Sequence, residues 1–120
     1  MDLRLEDQDG QAINVLDLRE VLAGIEQIGH GEVHPIQVVN RGESKIRMIT
    51  VSLTGEDSNR AQIAMDTGND PIWAEPGMPL IYDGVLDPDQ SFGILARGVY
   101  DPSDAEGRYN FSMLLRGTAF

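Results

Sequence analysis

The residues best equipped for chemistry are His30, Glu32 and His34, which alternate through His30-Gly31-Glu32-Val33-His34. Strand side chains repeat every second residue, so on a strand all three share one face and make a candidate set of N/O metal ligands. In the zinc-protease pattern a glutamate directly follows the first histidine, whereas here Gly31 does. The same residues also read as the polar start of a strand on the solvent face, and no metal or other cofactor is assigned. Asp7-Gln8-Asp9-Gly10 has the look of a calcium loop. Aligning Gly10 to the invariant loop glycine puts Leu5 and Leu16 at the first and last ligand positions, so the loop reads as a hairpin turn instead. Acidic turns at Asp66/Asp70, Asp83/Asp87/Asp89 and Asp101/Asp104/Glu106 could hold calcium at strand ends or serve as solvated turns. No nucleophile elbow or phosphate loop occurs, and no carboxylate pair stands out for glycoside hydrolysis. The chain is therefore read as non-enzymatic, with no catalytic residue.

What remains is contact chemistry. Trp73 is the only tryptophan and stands in a polar loop, where it either plugs one end of the core or anchors a partner. Leu3 and Leu5 near the start, and Phe120 after the last strand pattern, are further partner-contact candidates.

Twenty acids against nine Lys plus Arg give a net charge of −11. The excess runs along the whole chain, and no Lys or Arg falls between Ala61 and Ala96. Such a surface repels phosphate, which argues against nucleic acid and against anionic membranes as partners. The charge serves solubility or steers the protein toward a basic surface. There is no cysteine. The start lacks the basic and apolar regions of a signal peptide, and no apolar run approaches a membrane span. Assembly in the cytoplasm is expected.

The elements that must position these residues are strands. Residues 47–54 put Ile49, Val51 and Leu53 on one face and Met48, Thr50, Ser52 and Thr54 on the other. Residues 60–66 alternate Ala61, Ile63 and Met65 against Gln62, Ala64 and Asp66, and the two runs read as an antiparallel pair around the 55–59 turn. Residues 108–117 put Tyr109, Phe111, Met113 and Leu115 on one face, with Asn110, Ser112, Leu114 and Arg116 on the other. With residues 90–100, strand-like but of ambiguous register, they predict a hairpin closed by the 101–107 loop. A short hairpin over 3–16, a strand over 33–40 and a weaker extended segment over 78–86, placed at an edge by Pro79, complete the set. Residues 17–28 carry Leu18, Val21, Leu22, Ile25 and Ile28 at helical spacing and predict one or two helical turns. At 120 residues the chain is one domain, 1–120, with residues 1–9 a candidate extended N-terminal segment. About seven short strands spaced by turns give an all-β antiparallel sandwich.

The order of segments resembles that of immunoglobulin-like sandwich domains. Residues 16–24, Leu-Asp-Leu-Arg-Glu-Val-Leu-Ala-Gly, followed by residues 34–42, His-Pro-Ile-Gln-Val-Val-Asn-Arg-Gly, resemble their opening, with Arg19 in place of the first glycine. Residues 107–117, Gly-Arg-Tyr-Asn-Phe-Ser-Met-Leu-Leu-Arg-Gly, resemble their last strand, "Gly-x-Tyr-x-Phe-x-apolar". Residues 86–91, Leu-Asp-Pro-Asp-Gln-Ser, resemble the "Leu-x-Pro-Gly-x-Ser" that precedes the penultimate strand, with Asp89 at the glycine. Small, acidic, cysteine-free domains of this type look like structural proteins of tailed bacteriophages, with capsid decoration (cement) proteins as the nearest kind. That resemblance implies a virion protein bound to the outside of a phage head. Its partners would be the major capsid protein or other virion proteins, and a homo-oligomer is also open. Alternatives are a tail, neck or baseplate component of the same fold, and a carbohydrate-binding or adhesion module.

Overall fold

The computed structural model describes residues 2–13, 29–30, 32–100 and 111–120. Over these the chain forms two antiparallel sheets that pack as a β-sandwich. The strands are β1 (Leu3–Glu6), β2 (Gly29–His30), β3 (His34–Asn40), β4 (Ile46–Thr54), β5 (Ala61–Met65), β6 (Leu80–Tyr82), β7 (Ser91–Tyr100) and β8 (Ser112–Ala119). The only helical element among the described residues is a 3-10 turn at Ser58–Arg60. The helix expected over 17–28 lies outside the described residues.

The larger sheet runs β1-β3-β7-β5, with β2 also paired to β7, and the smaller runs β6-β4-β8. From β3 onward every connection crosses from one sheet to the other, so strands adjacent in sequence do not pair. This corrects both expected hairpins. β4 pairs with β6 and β8, whereas β5 pairs with β7. β7 and β8 likewise belong to different sheets. Turn formers fix where the chain reverses, but inward faces that must meet across a sandwich decide which sheet receives the next strand. The hairpin at the start does form as far as described: Glu6 bridges Ala12, and the Ile13 N–H donates to the Leu5 carbonyl at 2.9 Å.

The core lies between the sheets and follows the alternation. Ile36 and Val38 of β3, Ile49 and Val51 of β4, Ile63 of β5 and Ile94 and Ala96 of β7 are all buried. These are mostly β-branched residues, which fit a pleated, half-buried surface. Phe92 of β7 stacks on Tyr82 of β6 across the interior, with centroids 4.2 Å apart and rings within 3° of parallel. Gly84 makes room for that stack, because a Cβ there would sit 2.8 Å from the Tyr82 hydroxyl.

β4 is not continuous in register. Arg47 lies opposite Thr118 and Thr50 opposite Arg116, so three steps on β4 match two on β8. The extra residue is a β-bulge, and Met48 there takes a φ of 55°. In consequence Ile46 and Ile49 both face inward, while Arg47 and Met48 are both exposed.

One polar junction ties the sheets together. Asn40, fully buried at the end of β3, donates through Nδ2 to the carbonyls of Ser44 at 2.8 Å and Leu86 at 3.0 Å. Its Oδ1 accepts the Gly42 N–H at 3.0 Å. Its backbone bonds Gln90 and Asp89, and Asp89 holds a left-handed φ of 66°. A buried amide with these partners meets the requirement that buried polar groups be hydrogen-bonded.

Candidate functional site

The sequence candidates do not converge on one place. His30 lies opposite Val99 and His34 opposite Ala96, three residues apart on β7, whereas the histidines are four apart on their own side. Among the described residues no group of three His, Asp or Glu is placed to hold a metal ion. Asp7 Oδ1 accepts the N–H groups of Asp9 and Gln11, both at 2.9 Å, and Asp66 Oδ1 accepts that of Gly68 at 3.3 Å. These carboxylates act as turn formers. Asp101, Asp104 and Glu106 lie outside the described residues.

Leu3 and Leu5 are half-buried on β1 and pack against the core. Trp73 does not plug an end of the core. It lies half-buried beside the larger sheet, with the Arg97 guanidinium 4.0 Å from its ring centroid, and Arg97 in turn donates to Gln62 at 2.9 Å. Phe120 alone of the four is open, 55% exposed, with the Arg47 guanidinium 4.7 Å from its ring centroid.

The most strongly bonded charges form a structural knot. Arg41 donates to both oxygens of Glu6, at 2.8 and 2.6 Å, and to Asp89 at 3.1 Å. Glu6 is only 4% exposed. The Arg41 bonds hold its carboxyl below the usual carboxylate range, against burial, which pushes the other way. Arg41 is raised above its ordinary value by the same carboxylates. Each group is paired, and the knot clamps β1 to the end of β3 and to the turn before β7.

Compared with known protein families, curated proteins and solved structures, the chain matches none.

The exposed apolar side chains do converge. Eight large ones are exposed among the described residues, and five of them, Met48, Ile81, Val85, Leu114 and Phe120, belong to the smaller sheet or its ends. Pairing aligns the outer face: Thr50 lies opposite Ile81 and Arg116, and Ser52 opposite Leu114. Met48, at 69% exposed, and Ile81, at 60%, line an open depression of about 430 Å³ with Arg47, Thr50, Val85 and the Tyr82-Asp83-Gly84 segment. That volume is within the roughly 300–1,000 Å³ of small-molecule pockets. The depression is open, with the charged Arg47 and Asp83 beside its apolar lining, so it suits side chains of a macromolecule. The strands of this sheet contain two arginines, Arg47 and Arg116, and no acid, although the chain carries −11.

One part of this surface is visible in sequence: Leu114 is the apolar exception on the otherwise polar face of the last strand. Met48 could not be found that way. Its display depends on a bulge, and nothing in the alternation marks where the extra residue sits.

Proposed function

We propose that the protein is a non-enzymatic structural component of a phage particle, a capsid decoration protein that docks on the outside of the head through the outer face of its smaller sheet. The observation that carries this reading is the gathering of Met48, Ile81, Val85, Leu114 and Phe120 on one face. Exposed apolar side chains gathered on one face of a small domain mark an interaction site. The arginines at its margins fit a partner surface with apolar and acidic groups, and many weak contacts over a shell sum by multivalency.

The family part of the proposal draws on the sequence resemblance, and two features support it. Asp89, which stands where the resembled pattern has glycine, holds a left-handed backbone. The order β1-β3-β7-β5 also follows the A-B-E-D sheet of immunoglobulin domains, with β4 beside β8 as C beside F, while β6, between β5 and β7 in sequence, has no counterpart in that order.

The test is immunogold labelling of particles from the source lysate, paired with a pelleting assay of purified protein on those particles. Label over heads, and pelleting that Ile81→Asp abolishes while circular dichroism stays unchanged, is the expected result. Label confined to tails overturns the head assignment. No label on any particle overturns the virion reading altogether.

A further inference from the structure

Each sheet edge but one is closed or blunted among the described residues. The β1 edge is occupied by Ala12 and Ile13. The β5 edge is crossed by the loop that carries Trp73, where the Ala74 N–H donates to the Ile63 carbonyl at 2.9 Å. The β6 edge is three residues long and follows Pro79, and β2, at the end of the larger sheet beside β7, is only two residues long. β8 differs: it is eight residues long, has no proline, and pairs only with β4 among the described residues. Its inward residues Met113 and Leu115 are half-buried, Leu115 although Val51 opposite it on β4 is only 1% exposed, and Met113 beside Leu53, which is half-buried as well. A long strand edge without a partner among the described residues, and with an incompletely covered inner face, is a template for another strand.

We propose that the occupant is a second copy of this chain, its β8 pairing antiparallel with the first across a two-fold axis. Two observations select a copy and a register. First, β8 carries one arginine and no acid, so it is an edge on which two chains of −11 can meet without opposing carboxylates. Second, the strand is self-complementary about Leu115. Centring the axis there puts Leu115 against Leu115, Met113 against Gly117 and Leu114 against Arg116 of the second copy. A large residue then faces a small one on the inner side, and an aliphatic side chain faces an arginine stem on the outer. Moving the axis one residue to Arg116 would set like charges directly opposite, which is destabilising. The smaller sheet becomes six strands wide, with the two outer faces side by side. This inference does not depend on the phage reading, because it concerns the isolated protein.

Sedimentation equilibrium of the purified chain, from low micromolar to millimolar, tests it. Wild type should reach a dimer. Leu114→Lys, on the exposed outer face, should leave circular dichroism unchanged and weaken dimerisation by roughly tenfold or more, because each introduced lysine meets an arginine. Adding R116E to L114K should restore the dimer, since lysine then faces glutamate in this register and in no neighbouring one. A wild type that stays monomeric at all concentrations overturns the proposal. So does a dimer indifferent to L114K, or one that the double variant fails to restore.

Discussion

The two sheets share one interior and treat their outer faces in opposite ways. On the larger sheet, Val39 and Ala64 are buried although they alternate with the core-facing residues, and Trp73 lies against Arg97 beside its outer edge strand. On the smaller sheet the outward positions hold Met48, Ile81 and Leu114 in the open. The described chain thus covers part of the larger sheet's outer side, at Val39, Ala64 and Arg97. Burial within the described chain gives no reason for the apolar residues of the smaller sheet. The difference teaches where to look for function: in a domain without a catalytic cluster among the described residues, the informative surface is the one that the fold has left uncovered.

The comparison can be broken most severely at what the sheets share. Ile94, on the larger sheet, is fully buried between them. Ile94→Ala should cost about 3–4 kcal/mol by chemical denaturation, from lost burial and an uncollapsed cavity. Asn40→Ala should cost about 2–3 kcal/mol, because the Leu86 and Ser44 carbonyls lose their amide donor at the junction of the sheets. A loss under half of that would mean water replaces the amide and the junction is not a fixed tie.

The Arg41–Glu6 knot sharpens the comparison on the larger sheet alone. Glu6 is held below its unfolded value in the native state, so its contribution is full above the ordinary carboxylate range. It is lost as the pH falls through that range and then through the depressed native value. Thermal melts from neutral to strongly acidic pH should therefore show an acid-side fall in Tm that Glu6→Gln makes shallower. An identical slope in the variant would assign the fall to other carboxylates.

The smallest effect discriminates best. Met48 holds a left-handed backbone that costs a non-glycine residue about 1 kcal/mol. Met48→Gly should therefore raise stability by up to about that amount in a denaturation series, while binding to particles falls. Stability and binding that fall together would show that Met48 supports the fold, and would remove the contrast between the sheets.

How much of this the sequence could reveal follows from what alternation encodes. It assigned Ile49, Val51 and Leu53 to one face and Met113 and Leu115 to another, because a half-buried strand must alternate. It could not assign partners. The runs 47–54 and 60–66 look like a hairpin because both alternate around a turn, and only the need to close a sandwich sends β5 to the other sheet. The register of residues 90–100 was ambiguous because Gly93 and Gly98 carry no side chain to mark a face. The structure resolves it, with Phe92, Ile94 and Ala96 inward. Exposed chemistry was harder to read than the core, since nothing in a sequence says which apolar residues the loops will fail to cover.

The bulge in β4 also bears on how this surface can change over generations. Ile46 and Ile49 face inward with two residues between them, so losing the Met48 codon would leave an uninterrupted alternation: Ile46 in, Arg47 out, Ile49 in. A single in-frame deletion would then erase a display residue and keep every core contact of the strand. A one-codon insertion would recreate it. Length variation, which elsewhere in a strand exchanges interior for exterior, becomes at this position a reversible means of altering what the protein presents, with the fold held constant.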